Sequence, residues 1–186
     1  MQESAPDTPS VPRDGSALAA PTIHRGASLF RAPLPASDSF VRRLHPDERD
    51  LVRQHLERLD PVSRRLRFGN CVNDAFIERY AGTSLDPGGV VLALFVEGVV
   101  RGVAELHFTS RSGDEAEVAF SIEADHQGLG HGTHLFGRIL DAARNRGVRR
   151  LWLTCLAENR RILAIARKFG ARVTVIADEA TAEFAD

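Results

Sequence analysis

From Phe40 onward the apolar residues of this chain recur in two rhythms, one near 3.6 and one near 2, and the alternation between them predicts its elements. Phe40 to Leu44 reads as a short strand, and Leu51, Val52, His55, Leu56 and Leu59 then fall on one helical face. Asp47 and Glu48 sit in that helix's first turn, where the macrodipole favours them, and Asp60-Pro61 is expected to stop it. Ser63 to Phe68 and Asn73 to Tyr80 look like one broken helix, ended by Gly82 and the turn Asp86-Pro-Gly-Gly89. Val90 to Val96 is almost continuously apolar, as a strand covered on both faces should be, and Val99 to Thr109 returns after Glu97-Gly98. Ala116 to Ile122 is a third strand of this group.

Leu135, Phe136, Ile139, Leu140 and Ala143 then keep helical spacing up to Gly147, a C-cap glycine with Arg144 and Arg146 in the last turn. Leu151 to Leu156 is a strand, Asn159 to Phe169 a helix closed by Gly170, and Arg172 to Ala177 the final strand, with Thr181 to Phe184 a stub of another. A helix crosses between Ala116–Ile122 and Leu151–Leu156, so these two strands should run parallel. The order β-α-α-β-β-β-α-β-α-β describes an α/β protein, a mixed sheet with helices on both faces.

Between the third strand and its helix stands Gln127-Gly-Leu-Gly-His-Gly-Thr133. Gly128, Gly130 and Gly132 let the backbone turn tightly and aim successive amides into one concavity. That concavity opens at a helix N-terminus, which favours an anion such as a phosphate or pyrophosphate. A nucleoside-triphosphate loop requires Gly-Lys-Ser or Gly-Lys-Thr, and Gly132-Thr133 has no lysine before it. A dinucleotide fingerprint needs its third glycine where Thr133 stands. A glycine-rich turn with no ligand remains the plain alternative.

The pattern Gln/Arg-x-x-Gly-x-Gly/Ala, met by Gln127, Gly130 and Gly132, resembles the acyl-CoA pyrophosphate loop of the GCN5-related N-acetyltransferase (GNAT) family. The element order agrees, and the resemblance covers about residues 40 to 177. It implies the GNAT acyl-CoA N-acyltransferase fold and acetyl-CoA as co-substrate. It also implies a parallel strand pair that splays to hold the pantetheine arm. Gln127, Gly128, Leu129, Gly130, His131, Gly132 and Thr133 would then hold the pyrophosphate, while Phe120, Ile122 and Asn159 would lie along the arm. Asn159 is equally suited to a helix N-cap.

The family often carries a tyrosine that protonates the departing thiolate, in a run ending Tyr-x-Lys-x-Gly-Phe; here those positions read Ala166, Lys168, Gly170 and Ala171. A second resemblance bears on that loss. Glu117-Val-Ala-Phe-Ser-Ile, Asp125-x-Gln-Gly-Leu-Gly-His-Gly, Asn159-x-x-Ile-x-x-Ile-Ala and the upstream Arg67-Phe68 are similar to the acetyltransferase domain of bacterial Pat-type protein lysine acetyltransferases. Those domains lack the tyrosine and are thought to use an acidic residue at the position of Glu117, with a second acid at that of Asp125.

Glu117 also has a physical case as general base. It sits in an apolar strand, where burial would raise its pKa toward neutrality, and it lies roughly 17 Å upstream of Ile122, about one pantetheine arm from the loop. A lysine acceptor, with an ordinary pKa of about 10.4, must lose a proton before it attacks. The plain alternative is a salt-bridged sheet residue facing Arg101 or His107. Glu105 and His107, on one face of the neighbouring strand, are the runner-up bases, and Asp125 reads as a turn residue capping the loop. His126, His131 and His134 do not have metal-site spacing, so no metal is expected. Cys155 follows a buried run and reads as core, with a place beside the arm as the alternative.

Composition changes this picture little. The 186 residues suit one domain, 37–186, behind a leader of residues 1–36 that holds six of the nine prolines and reads as disordered. Charge is balanced, 24 basic against 25 acidic residues, so neither nucleic acid nor a membrane surface is an expected partner. Two cysteines, Cys71 and Cys155, build no disulfide framework, and with no apolar leader the expected location is cytoplasmic, as monomer or homodimer. Lys168 is the one lysine among the basic residues, a bias of composition. The expected activity is N-acetylation of a primary amine, with protein lysine favoured by the resemblance. Small amines such as amino acids or aminoglycosides stay open as acceptors, and a non-catalytic acyl-CoA sensor is the alternative from another class.

Overall fold

The computed structural model describes residues 38–185, and the expected leader lies outside them. The chain enters through β1 (Ser39–Arg43) and a single 3-10 turn, Pro46–Glu48, whose Glu48 carboxylate accepts from the His45 backbone N–H at 2.8 Å and from Arg42 at 2.6 Å. Helix α1 (Arg49–Arg58) follows and buries Val52, His55 and Leu56. Asp60-Pro61 does more than stop it. The Asp60 carboxylate accepts from the Val62 and Ser63 amides, both at 3.0 Å, and Pro61 takes the first helical position, so the pair starts α2 (Pro61–Phe68).

The expected broken helix is therefore two helices. Gly69, at φ +77°, ends α2 in the left-handed conformation, and Asn73 caps α3 (Asp74–Ser84) by accepting from the Phe76 amide at 2.9 Å. Gly82 lies inside α3 instead of ending it, on an exposed face of the helix.

Strands β2 (Val90–Val96), β3 (Val99–Phe108) and β4 (Glu115–Ile122) form an antiparallel meander with β1. Every residue of β2 is buried, as its unbroken apolar run predicts. Helix α4 (His131–Arg144) crosses to β5 (Arg150–Leu156), which pairs parallel to β4. Helix α5 (Arg160–Lys168), β6 (Arg172–Ile176) and β7 (Glu179–Ala185) complete a seven-stranded sheet in the order β1-β2-β3-β4-β5-β7-β6.

The stub expected at Thr181 to Phe184 is a full strand. β7 inserts antiparallel between β5 and β6, and its Ala180 and Ala182 are completely buried. β6 is thereby displaced to the sheet edge, where Val175 and Ile176 are exposed. Two alanines carry little hydrophobic signal in sequence, which is why the pattern understated this strand.

The core has two layers. One face of the sheet packs on α4 and α5 through Leu106, Val118, Ile122, Leu135, Phe136 and Ile162. The other packs beneath α1 and α3 through Val91, Ala93, Phe95, Val103, Leu56 and Ile77. Side chains alternate across a strand, so β4 sends Ala116, Val118, Phe120 and Ile122 toward α4 and turns Glu117, Ala119 and Ser121, with Glu123 just past its end, toward the first three helices. Gly102 permits the tightest contact in this packing: a Cβ there would stand 2.2 Å from Cδ1 of Ile122.

Candidate active site

The parallel pair opens into a cleft. β4 and β5 are paired only at Glu115 with Arg150, Ala116 with Leu151 and Glu117 with Trp152, although both strands continue for several residues beyond. Past Glu117 the strands diverge, and a cavity of about 770 Å³ occupies the space, walled by Phe120 to Ile122 of β4, by α2 and by α5. At the narrow end a second cavity of about 360 Å³ begins, reached by Glu117, His107, Tyr80, Cys155 and Glu179. Leu66, Arg67, Phe120, Asn159 and Ile162 line both, so the two spaces meet at one throat.

The glycine loop closes the wide end. Gly128 and Gly130 have φ of +77° and +86°, and the Gly130 residue caps α4. The first helical bond goes from the His134 amide to the Gly130 carbonyl at 3.0 Å, which leaves the amides of His131, Gly132 and Thr133 without helical acceptors. Gln127, Gly128, Gly130, Gly132 and Thr133 border the larger cavity. Gly132 also brings α4 close to its neighbours, since a Cβ there would lie 3.1 Å from Ile165 Cδ1.

Two of the expected loop contacts differ in kind from the rest. Leu129 points to solvent at 57 % exposure, and His131 is buried at 1 %, so neither side chain borders the larger cavity. Burial and the neighbouring His126 and His134 push the His131 imidazole below its ordinary pKa, so it stays neutral. Gln127 is a strut as well as a liner: its Nε2 donates to the Ile122 carbonyl at 2.8 Å, and its Oε1 accepts from Arg161. Asn159 caps α5, accepting from the Ile162 amide at 3.4 Å, and lines both cavities, so its two expected roles are compatible. Asp125 lies exposed in a 3-10 turn, Ala124–His126, and forms no capping bond.

Arginines of α5 were not singled out from the sequence. Arg160 and Arg161 border the larger cavity beside the glycine loop and add positive charge to the amide concavity. Their adjacency at a helix start, directly after Asn159, was the available signal.

At the narrow end Glu117 is half-buried, one rung from the divergence, with His107 beside it on β3 and Trp152 on β5. It forms no ion pair with any described residue. Of the two partners that the plain alternative named for it, Arg101 instead holds Glu123 at 2.8 Å. Cys155 is half-buried, packs against the core and also lines the smaller cavity, so both expected places are compatible; burial and Glu179 push its thiol up to about 11.

The runner-up base Glu105 is committed elsewhere. It is 1 % exposed and accepts from Arg67 Nη2 at 2.7 Å and Tyr80 Oη at 2.8 Å, with His107 Nε2 at 3.5 Å. Burial by itself would raise its carboxyl, but the Arg67 guanidinium and the hydrogen bonds outweigh it and hold the group well below the usual carboxylate range. The same burial pushes the Tyr80 hydroxyl far above its ordinary value. An anchored carboxylate of this kind is a poor proton acceptor.

A second buried network secures the strand that leads into the loop. Glu123 accepts from Arg58 Nε at 2.9 Å, Arg101 Nη1 at 2.8 Å and His55 Nδ1 at 3.2 Å, and the other nitrogen of His55 lies 2.9 Å from Ser121 Oγ. With the proton on Nδ1, His55 donates to the carboxylate and accepts from the serine, which satisfies both groups. Burial holds the imidazole below its ordinary pKa despite the carboxylate beside it.

A splayed parallel pair, an amide concavity at its wide end and a carboxylate at its neck together define an acyl-transfer enzyme of the coenzyme-A type. The residues fit that substrate: a concavity of free amides suits a pyrophosphate, and apolar walls with an unpaired strand edge suit an extended arm. Residues 53–171 match the family model of the acetyltransferase (GNAT) family. An acetyltransferase of Pseudomonas aeruginosa is 28% identical over 126 residues, 65% of this chain and 68% of that protein. The GNAT domain of the PAT protein of S. lividans superposes with a TM-score of 0.68 at 24% identity, over 80% of this chain and 90% of that one. The yncA protein of Salmonella typhimurium, solved with its cofactor acetyl-CoA, gives 0.63 at 18% identity, over 80% and 94%. Both structural likenesses speak to the fold.

The chain belongs to the GNAT family of acetyltransferases, and it is an acyl-CoA-dependent transferase with acetyl-CoA as co-substrate. Among the described residues no helix is long and apolar enough to cross a membrane, and no three metal-ligating side chains converge.

Proposed function

We propose that this enzyme transfers the acetyl group of acetyl-CoA to a primary amine, a lysine side chain of a protein, with Glu117 as the general base. One observation carries the reading: Glu117 is the last paired residue before β4 and β5 part, a carboxylate without an ion-pair partner that lines the smaller cavity. Coenzyme A supplies the acyl group as a thioester. The amine nitrogen bonds to the acyl carbon, the carbon–sulfur bond breaks with its electron pair on sulfur, and one amine proton passes to Glu117. Phe120 and Ile122 flank the arm, the loop amides from Gly128 to Thr133 meet the pyrophosphate, and Arg160 and Arg161 add charge beside it.

The acceptor end supports a cationic substrate. Glu117 and Glu179 both line the smaller cavity, while the Arg67 charge there is cancelled by Glu105. A cavity of about 360 Å³ suits an extended lysine side chain entering from outside. Ala166, fully buried in α5, stands where the resemblance implies a tyrosine, so the side chain at that position does not protonate the departing sulfur, which can leave as thiolate. That departure is feasible, because a model thiol has a pKa of about 8.5.

The test is calorimetric titration with acetyl-CoA, followed by thiol release with lysine-bearing proteins and with small amines. Glu117→Gln should fold and bind acetyl-CoA as before but lose about 10²- to 10⁴-fold in turnover, the usual worth of a positioned base. Undiminished turnover would remove Glu117 from the chemistry. Release with small amines alone would replace the lysine acceptor, and binding without release from any amine would leave a ligand sensor.

A further inference from the structure

The Arg67 guanidinium is fixed more firmly than a surface contact requires, yet most of its donors have no protein partner. Its side chain is 8% exposed. Nη2 donates both to Tyr80 Oη at 2.6 Å and to Glu105 at 2.7 Å, and the planar group lies 4.7 Å from the Phe68 ring and 5.3 Å from the Tyr80 ring. Nε is buried without a partner, and Nη1 has none among the described residues. A guanidinium carries five N–H donors, and leaving buried donors unmet is unfavourable unless something else occupies the space.

Its position says what that occupant is. Arg67 lines both cavities, at the throat where they meet. Its partner Glu105 pairs across the sheet with Ala119, two residues from Glu117 and so about 7 Å along β4. Arg67 therefore reaches the same face of the sheet as the general base, with Arg67 at the throat and Glu117 in the smaller cavity beside it. Glu105 neutralises Arg67, so the pair offers directed hydrogen bonds without net charge. A carboxylate of the acceptor is the less favoured occupant, because Glu117 and Glu179 line the same smaller cavity and would repel it.

We infer that Arg67 is a second catalytic residue, whose Nη1 donates a hydrogen bond to the acyl oxygen of acetyl-CoA at the throat. The inference rests on the throat being the site of acetyl transfer. As the amine nitrogen bonds to the acyl carbon, an electron pair shifts onto the acyl oxygen and meets the Arg67 donor. When that pair returns, the carbon–sulfur bond breaks, sulfur keeps its electrons, and the amine proton goes to Glu117. Donors prepositioned where charge develops are usually worth about 10²- to 10³-fold in turnover.

The experiment is infrared difference spectroscopy of acetyl-CoA carrying carbon-13 at the acyl carbonyl, bound to wild type, to Arg67→Lys and to the double variant Arg67→Gln/Glu105→Gln. The double variant leaves no unpaired buried charge, and the lysine variant decides the matter if the double variant fails to fold. The bound carbonyl band should lie below that of free acetyl-CoA in wild type and return toward it in the variants. Calorimetry should show coenzyme A, which lacks the acyl oxygen, binding all of them equally, while kcat falls about 10²- to 10³-fold. A wild-type band at the free position, or an unshifted band in folded variants, overturns the inference and leaves the transferase reading intact. A loss confined to carboxylate-bearing acceptors, with alkylamines unaffected, overturns it in favour of acceptor recognition. Failure of wild type to bind acetyl-CoA overturns both.

Discussion

Replacing Glu123 by glutamine removes the charge from a buried site while keeping its shape, and the structure supplies the size of the effect. The carboxylate is 9 % exposed and is held by His55, Arg58 and Arg101. Burial works to raise its pKa, but the hydrogen bonds from His55, Arg101 and Arg58 prevail and bring it from the ordinary 4.5 to about 2. A folded-state pKa below the unfolded one means that the unfolded chain binds the proton more readily. The ionised carboxylate therefore stabilises the fold above about pH 4.5, and that contribution fades as the pH falls toward 2.

The shift corresponds to about 3 kcal/mol at pH 7. Glu123→Gln should lower Tm by about 6–12 °C at that pH, given roughly 2–4 °C per kcal/mol for a chain of this length. The assay is paired urea titration of wild type and variant at pH 7 and pH 3, in which the other carboxylates cancel. The stability gap should shrink by about 2 kcal/mol at the lower pH. A gap that stays constant across pH, or none at pH 7, would refute the argument that this ion cluster secures the approach to the loop.

Two glycine substitutions test the neighbouring strand β3 and the loop. Gly102→Ala drives a Cβ to 2.2 Å from Ile122 Cδ1, so it should cost about 3 kcal/mol and weaken acetyl-CoA binding by displacing Ile122; thermal denaturation and calorimetry check both. Gly130→Ala meets nothing within 4 Å, yet its φ of +86° should cost about 1–2 kcal/mol and distort the amide concavity. Calorimetry should then show weaker binding of both coenzyme A and acetyl-CoA, and equal affinity for either would mean that the loop conformation does not matter.

Much of this molecule was legible in its residue order, because the rhythms that carry the signal are local. The apolar run Val90 to Val96 required two covering layers, and β2 has them. Gly128, Gly130 and Gly132 before a helical stripe required an amide concavity, and Gly130 does cap α4. The crossover helix required β4 and β5 to run parallel. Asp60-Pro61 was read for what it ends and not for what it starts, because a cap faces both ways. β7 was underestimated because alanine fills a tight interior without announcing itself.

The sequence by itself determined the class of fold, the place of the glycine loop and Glu117 as the carboxylate to examine, since each depends on neighbours a few residues apart. The tertiary structure decided which carboxylates are free. Glu105 and Glu123, like Glu117, stand beside apolar strand residues, and the residue order does not record which of the three is paired. Arg67 reaches Glu105 across 38 residues and His55 reaches Glu123 across 68, so only the packing of α1 and α2 on the sheet could commit two of them and leave the third in the smaller cavity. Charge pairing inside a protein is a property of distance in space, and sequence separation carries no record of it.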